Sequence, residues 1–348
     1  MKISYMKKRE DFDNINQRTL DKSFAGGKGD TRLYIYPHLN AIVTRNPSES
    51  VKRYLYTEYS GASSPIKRFL TKMYTKVVIN SCGILAGGQC RASDALSDDI
   101  LIYPCNKKIR IFDFASGTVR VVPKDSFPTN SIKCEIDFRA KVNAPFILPL
   151  LSYEECEYSE KIINGRPLAR ISDGYEGYVS RAYEIWQGFE REIRPITFCE
   201  YADSLREYFH SAHISEEKLF KLDELSELEK ILFDRIKCAE GGLEVGLSHG
   251  DLQAGNIWVE NGTDKIYIID WESVGERSVN YDHAALFRGL RTSGGLVEIA
   301  SGESVTDAVI LYEDLLFRIA ELNSLPGDIG TKGFAEYIKT ILRNIKNV

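Results

Sequence analysis

Between Leu247 and Glu272 the chain reads LSHGDLQAGNIWVENGTDKIYIIDWE, and this stretch constrains the fold more than any other. Two short apolar runs, Ile257-Trp258-Val259 and Ile266 to Ile269, flank the turn-like pair Asn261-Gly262, which predicts a hairpin. A polar loop precedes the hairpin and an aspartate ends it. The neighbouring segments Gly177 to Ile193, Glu200 to His210 and Glu216 to Cys238 carry apolar residues three and four apart with charge between them. That is the period of amphipathic helices, and helix is expected again from about Asp282 to the C-terminus, with a breaker at Leu325-Pro326-Gly327. A loop, a hairpin and a second loop are therefore set into a helical region.

Upstream the period changes to two. Asp99 to Tyr103, Lys108 to Phe114 and Thr118 to Val122 read as strands, the last two joined by a turn at Ser116-Gly117. Ser131 to Val142 has helical spacing, Pro145 and Pro149 break the chain, and Tyr158 to Ile163 reads as another strand. Residues 33–36 and 41–43 look strand-like, and a helix is expected from Lys67 to about Ile84. The glycines of FAGGKGD, at 26, 27 and 29, lack the four residues a P-loop places before Gly-Lys-Ser/Thr, so they read as a turn. The expectation is an α+β, bilobal fold: a β-rich N-terminal lobe over 96–165, a mainly helical C-terminal lobe over 166–348, and 1–95 as an N-terminal extension.

Bulk properties remove several function classes. A net charge of -5 and a pI near 5.7 lack the basic excess of a general nucleic-acid binder. The seven cysteines are odd in number and show no two-residue spacing, which fits free thiols in a reducing cytosol better than zinc or disulfides. The start MKISYMKKREDFDNINQ has no apolar core of a signal peptide, and no run approaches the ~20 apolar residues that span a bilayer. A cytoplasmic protein with no nucleic-acid partner and no membrane insertion is expected.

The chemistry follows from spacing. Asp251 stands two residues after His249, Asn256 five residues after Asp251, and Asp270 at the end of the hairpin. The Asp-to-Asn interval is that of a kinase catalytic loop. Phosphoryl transfer asks for a carboxylate to take the acceptor's hydroxyl proton, and for oxygen ligands to a hard cation such as Mg²⁺. Asp251 suits the first task, and Asn256 with Asp270 the second, while His249 suits orienting the loop. Singly, each residue has an ordinary explanation as a cap or strand end; their order on one loop–hairpin–loop points to a catalytic site.

This segment resembles the motif of the aminoglycoside phosphotransferase and choline kinase-like family, His-Gly-Asp-Leu-x-x-x-Asn followed by Ile-Asp-Trp/Phe-Glu. The matching residues are His249, Gly250, Asp251, Leu252, Asn256, Ile269, Asp270, Trp271 and Glu272. Over the rest of 99–348 the similarity is one of element order. The resemblance implies a protein kinase-like fold, with ATP as donor (GTP being the alternative) and Mg²⁺ as cofactor. It implies a nucleotide-contacting lysine on the third strand and a helix glutamate paired with it. Lys124 and Glu135 are the expected pair, with Arg120 and Lys133 as alternatives to the lysine. The implied hinge lies at Ser159 to Ile162, where Glu160 and Ile162 would bind the nucleotide, and Gly165-Arg166-Pro167 is similar to the turn that follows it.

Two departures stand out: Pro104-Cys105-Asn106-Lys107-Lys108 replaces a glycine-rich loop, and Pro123 before Lys124 removes a ladder donor. Asp282 is expected to brace the catalytic loop or to cap a helix. Trp258 and Trp271 read as core residues, and Glu272 as facing the acceptor or bonding the loop. The implied acceptor is a small hydroxylated molecule: a sugar or glycan precursor, an amino alcohol or an aminoglycoside. A nucleotide-binding pseudokinase and a protein kinase are the alternatives.

Overall fold

The computed structural model describes residues 9–58, 65–171, 174–189, 192–212, 214, 218, 222, 224–325, 327 and 329–346. The first eight residues of the charged N-terminal start, and Pro326 of the expected breaker, lie outside these. Helix α1 (Arg9–Ser23) leads into β1 (Thr31–Tyr36), β2 (Ala41–Val43), α2 (Glu49–Glu58), α3 (Pro65–Ile79) and β3 (Gly88–Ala92). Then come β4 (Ile100–Pro104), β5 (Lys108–Asp113), β6 (Thr118–Pro123), α4 (Asn130–Lys141), β7 (Ser152–Tyr153) and β8 (Tyr158–Lys161). All eight strands form one antiparallel sheet in the order β3-β1-β2-β4-β5-β6-β8-β7.

The stretch before residue 96, expected as an extension, is thus part of the same sheet. Ile42 pairs with Ile102 and Val43 with Leu101, so β2 continues the ladder of β4 without a break. β2 has three residues, too few to display a period-two signal in sequence. Alternation then sorts the side chains. Tyr34, Val43, Leu101, Phe112, Val119 and Val121 face α2, α3 and α4, while Leu33, Ile42, Ile102, Ile109, Ile111 and Val122 face Leu20 of α1. Both faces are covered by helices, so the strands are apolar on both.

The C-terminal lobe begins with β9 (Gly165–Pro167), α5 (Tyr175–Gln187), β10 (Ile193–Thr197), α6 (Phe198–Ser211) and α7 (Leu225–Lys237). It continues through β11 (Gly242–Ser248), β12 (Ile257–Glu260), β13 (Ile266–Ile268), β14 (Gly275–Ser278), α8 (Val279–Phe287), α9 (Ser293–Ala300), α10 (Val305–Asn323) and α11 (Thr331–Lys346). The helix expected from Glu216 is described from Leu225, since several residues before it lie outside the described set. Two small sheets, β10-β11-β14 and β13-β12-β9, were legible only at the β12–β13 hairpin. Strand β10 is mostly exposed and carries Pro195, so it presents neither an apolar run nor alternation. Gly165 lies so close to β12 that a Cβ would sit 2.2 Å from the Val259 carbonyl oxygen.

Helices α6 to α11 bury one core together, with Val245 of β11. A second core, built from Phe146, Trp186, Leu252, Ile257, Ile268 and Trp271, lies under the hairpin. It joins the lobes: Phe138 of α4 packs its ring 4.8 Å from Trp271, and the Ile268 N–H donates to the Phe146 carbonyl at 2.8 Å. The architecture is the bilobal α+β class expected. No helix among the described residues is long and apolar enough to cross a membrane.

Candidate active site

The loop after β11 owes its shape to one buried carboxylate. Asp282, in the first turn of α8, accepts from the backbone N–H of His249 (2.9 Å) and Gly250 (3.1 Å), from Ser248 Oγ (3.0 Å) and from Trp186 Nε1 (3.0 Å). It therefore braces the loop; α8 itself takes Ser278 as its N-cap residue. Gly250 has φ +81, and a Cβ there would lie 2.2 Å from the Ser273 carbonyl oxygen, so only glycine fits the His-Gly-Asp turn. The His249 Nδ1 accepts from the Asp251 N–H at 3.2 Å, which leaves the proton on Nε2, 3.1 Å from the Ile269 carbonyl. The imidazole is buried against Trp271 and links the His-Gly-Asp loop to the end of the hairpin.

Three side chains hold the Asp251 carboxylate. Gln253 Nε2 and Asn256 Nδ2 donate to Oδ2 at 2.9 and 3.1 Å, and Arg291 Nε donates to Oδ1 at 3.0 Å. Asn256 Nδ2 also donates to the Asp251 carbonyl at 2.9 Å, so this amide turns its N–H groups to Asp251 and keeps Oδ1 as its remaining acceptor. Across the hairpin the Ile269 N–H donates to the Asn256 carbonyl at 2.9 Å, which brings Asp270 beside Asn256 in the ladder. Asp270 adopts the left-handed region, φ 71 and ψ 56. That conformation is uncommon for a residue with a Cβ and most tolerable for Asp or Asn.

Asp270 enters a charge cluster between the lobes. Lys108 Nζ, at the start of β5, lies 2.7 Å from Asp270 Oδ1, 3.4 Å from Glu135 Oε2 and 2.5 Å from Glu272 Oε1. Arg110 approaches Asp270 at 3.7 Å, and Arg139 bridges Glu135 (3.0 Å) and Glu160 (2.6 Å). Burial opposes charge on all of these groups, yet Lys108 and its neighbours outweigh it for two of the acids. Lys108 and Arg110 hold Asp270 below the usual carboxylate range, and Lys108 with Arg139 does the same for Glu135. Glu272 goes the other way: burial, aided by Asp270, exceeds the pull of Lys108 and raises it. Lys108 itself is driven up, because the three acids overcome its desolvation.

Of the expected residues, the structure brings Asp251, His249 and Asn256 together on one loop and sets Asp270 at the end of the hairpin beside it. Glu135 occupies the expected place on α4, but its lysine partner is Lys108, not Lys124. The reason is parity. Val119, Val121 and Pro123 face α4, whereas Arg120, Val122 and Lys124 face α1; Arg120 accordingly donates to the Ser23 carbonyl at 3.1 Å. Lys108 stands opposite Pro123 in the ladder and so reaches the α4 side from the neighbouring strand. Lys124 is buried on the other face, and Lys133 pairs with Glu155 at the surface.

The expected hinge groups are also engaged elsewhere. The Ile162 N–H donates to the Gly117 carbonyl at 2.9 Å, because the β6–β8 ladder runs past residue 161 and uses the donor a purine would need. The buried Glu160 carboxylate belongs to Arg139. Sequence reasoning missed Lys108, Arg110, Gln253 and Arg291. The one available signal was Lys108, Arg110 and Phe112 alternating with Ile109 and Ile111, which sets two cations on the face that packs on α4.

Beside this cluster a cleft of 740 Å³ opens between the lobes, lined among others by Asn130 and Cys134 of α4, Tyr208, Glu272, Arg277 and Phe317. Phe317 carries the Arg291 guanidinium 3.8 Å from its ring centroid, and Arg291 holds Asp251. The cleft is thus lined by Glu272, two residues after Asp270, and by Phe317, the ring on which the Arg291 that holds Asp251 rests.

No protein-family model matches the sequence, and no curated protein matches it. Solved structures do. The chain is similar to an ethanolamine kinase from Plasmodium vivax (12% identity, 85% of this chain and 93% of that one, TM-score 0.41). It is similar to the choline kinase LicA from Streptococcus pneumoniae (12%, 72% and 91%, TM-score 0.42). A third is the macrolide 2'-phosphotransferase MphH from Brachybacterium faecium (12%, 70% and 93%, TM-score 0.43). These are the kinds of protein that the motif resembles. Likenesses this distant leave what the chain acts on to its own side chains.

Proposed function

We propose that this chain is a phosphotransferase that moves the γ-phosphoryl of ATP to a hydroxyl of a small molecule. One observation carries the reading: a carboxylate fixed by three donors, Asp251, lies on a loop hydrogen-bonded to the strand end that presents Asp270 to a buried lysine. Phosphoryl transfer is mostly positioning and charge neutralisation, and these parts do both. Asp251 takes the acceptor's hydroxyl proton at a carboxylate oxygen and aims the acceptor oxygen. Lys108 and Arg110 supply positive charge for phosphate oxygens, and His249 with Asp282 keeps the loop in register.

The donor set fits a hard cation. Asn256 retains its amide oxygen, Asp270 is held ionised, and oxygen ligands are what Mg²⁺ takes. When bound there, Mg²⁺ neutralises phosphate charge. Glu135, Asp270 and Glu272 offer oxygens within 4.8 Å of one another, with the Lys108 ammonium among them. Glu272, Glu276, Glu313 and Glu321 line the cleft against Lys107 and Arg277, an acidic excess that suits an acceptor carrying an amine, such as an amino alcohol or amino sugar. None of the seven cysteines forms a disulfide, which suits a cytosolic setting.

The test is ADP release with a panel of hydroxylated acceptors, with and without Mg²⁺. Asp251→Asn should abolish release while calorimetry still registers nucleotide binding. No Mg²⁺-dependent release with any acceptor, or a near wild-type rate for Asp251→Asn, would sink the proposal.

A further inference from the structure

Helix α3 turns an apolar stripe to solvent. Ile66, Phe69, Leu70, Met73 and Val77 recur three and four residues apart and are 72, 64, 59, 46 and 56% exposed. Thr75, Val78 and Ile79, on the opposite side, are buried, the last two in the core beneath the helix. Both sides of α3 are thus apolar, and among the described residues only one is covered. Tyr74 borders the stripe, and the turn after the helix adds Ile84 and Leu85, 84 and 52% exposed. Single exposed apolar residues are ordinary, but a contiguous stripe marks a contact surface.

Charge identifies the contact. Helix α3 contains Lys67, Arg68, Lys72 and Lys76 and no acidic residue, in a chain whose net charge is -5. Lys72 and Lys76 are exposed beside the stripe. An apolar stripe with cations at its edge suits a helix lying in the interface of an anionic bilayer, where apolar side chains enter the acyl boundary and ammonium groups meet headgroup phosphates. A second copy fits poorly: a two-fold contact through α3 would oppose two basic helices with no acid on either. With 15 residues α3 is about 22 Å long, short of the ~30 Å hydrocarbon core, so it can lie on a bilayer but not span it. We propose that α3 docks this protein peripherally on an anionic membrane surface, through Phe69, Leu70, Met73 and Val77 with Lys72 and Lys76.

Co-sedimentation of the full chain tests this, using vesicles of equal parts phosphatidylcholine and phosphatidylglycerol beside vesicles of phosphatidylcholine alone. The chain should sediment with the mixed vesicles and be released by salt. Leu70→Glu with Met73→Glu should lower the bound fraction about tenfold or more, as apolar insertion is lost. Lys72→Glu with Lys76→Glu should do the same without touching the apolar stripe. All four side chains are exposed, and circular dichroism checks that each variant folds. A chain that stays in the supernatant, or binds both vesicles equally, overturns the proposal. So does a dimer, measured by light scattering, that Leu70→Glu dissolves, since the stripe would then belong to a second copy.

Discussion

The Lys108 ammonium lies 2.7 Å from Asp270 Oδ1 and 3.4 Å from Glu135 Oε2, so one cation ties helix α4 to the end of the β12–β13 hairpin. The two lobes meet at this pair, and the charge of three acids depends on it. Lys108→Met should therefore cost about 3–5 kcal/mol, the range for stripping one partner from a buried ion cluster. Turnover should fall by about two to three orders of magnitude, as for loss of a preorganised donor. Denaturant melts and steady-state rates check the two effects separately.

Lys124 predicts the opposite behaviour. Burial pushes its ammonium down from 10.5 to about 8. Between those values the unfolded chain holds a proton that the folded chain has released, so stability rises with pH across the window. Below it, both states are charged and this group no longer makes stability depend on pH. Lys124→Met should remove this pH dependence, so that the stabilities of variant and wild type change relative to each other only across that window. Its effect on the KM for ATP should be small. Thermal melts across pH and a nucleotide titration read both.

Arg291 makes contacts that a lysine cannot reproduce together. It donates to Asp251 Oδ1 (3.0 Å), the Gly250 carbonyl (2.9 Å) and the Tyr281 hydroxyl (2.9 Å), and it pairs with the buried Asp314. Arg291→Lys keeps the charge but not the fork, so kcat should drop about 10- to 100-fold with Mg-ATP affinity unchanged. Asp314 still has Arg318 and Tyr337, so the fold should survive. An equal loss of nucleotide affinity would move Arg291 out of the acceptor side of the site.

Removing Asp282 takes away the acceptor shared by Ser248 Oγ, the His249 N–H and Trp186 Nε1, while the Gly250 N–H is left with Ser248 Oγ. Asp282→Ala should cost about 3–5 kcal/mol, because those groups are buried. Trp186 fluorescence should change, since its indole N–H loses the carboxylate. Asp282→Asn, which keeps the acceptor oxygen, should recover part of the stability in the same melts.

Glu313 gives a pH signature. Burial raises its carboxyl to about 7 against the lowering effect of donors from Ser278 and Tyr201. Between 4.5 and about 7 the folded state holds a proton that the unfolded state has lost, so stability falls as pH rises through that window. Glu313→Gln should be more stable than wild type by about 1–3 kcal/mol above neutrality, with the difference vanishing near the acidic end of the window. Urea melts at a series of pH values check the sign.

What could be read from sequence was whatever lies close along the chain. His249, Asp251, Asn256 and Asp270 sit on one loop and one hairpin, so residue spacing reports their geometry. The β4, β5 and β6 strands were legible because alternation over five or six residues is a strong signal. Strands β10 and β14 were not, being short and largely unburied. Within 1–95, the strand character of 33–36 and 41–43 was legible, but that β1, β2 and β3 join the sheet of β4 was not, since no local pattern announces such pairings.

The cations around the site depended on tertiary structure. Lys108 and Asp270 are 162 residues apart, and Arg291 reaches Asp251 from beyond the next helix. Which lysine meets Glu135 turned on a single step of strand parity: Lys124 points to α1, and Lys108 reaches α4 from the adjacent strand. By itself, the sequence determined the carboxylates and the amide proposed for phosphoryl transfer, because local hydrogen bonds hold them on one loop and the hairpin that follows it. Tertiary structure decided which charges neutralise them, because that depends on which faces of distant elements pack together.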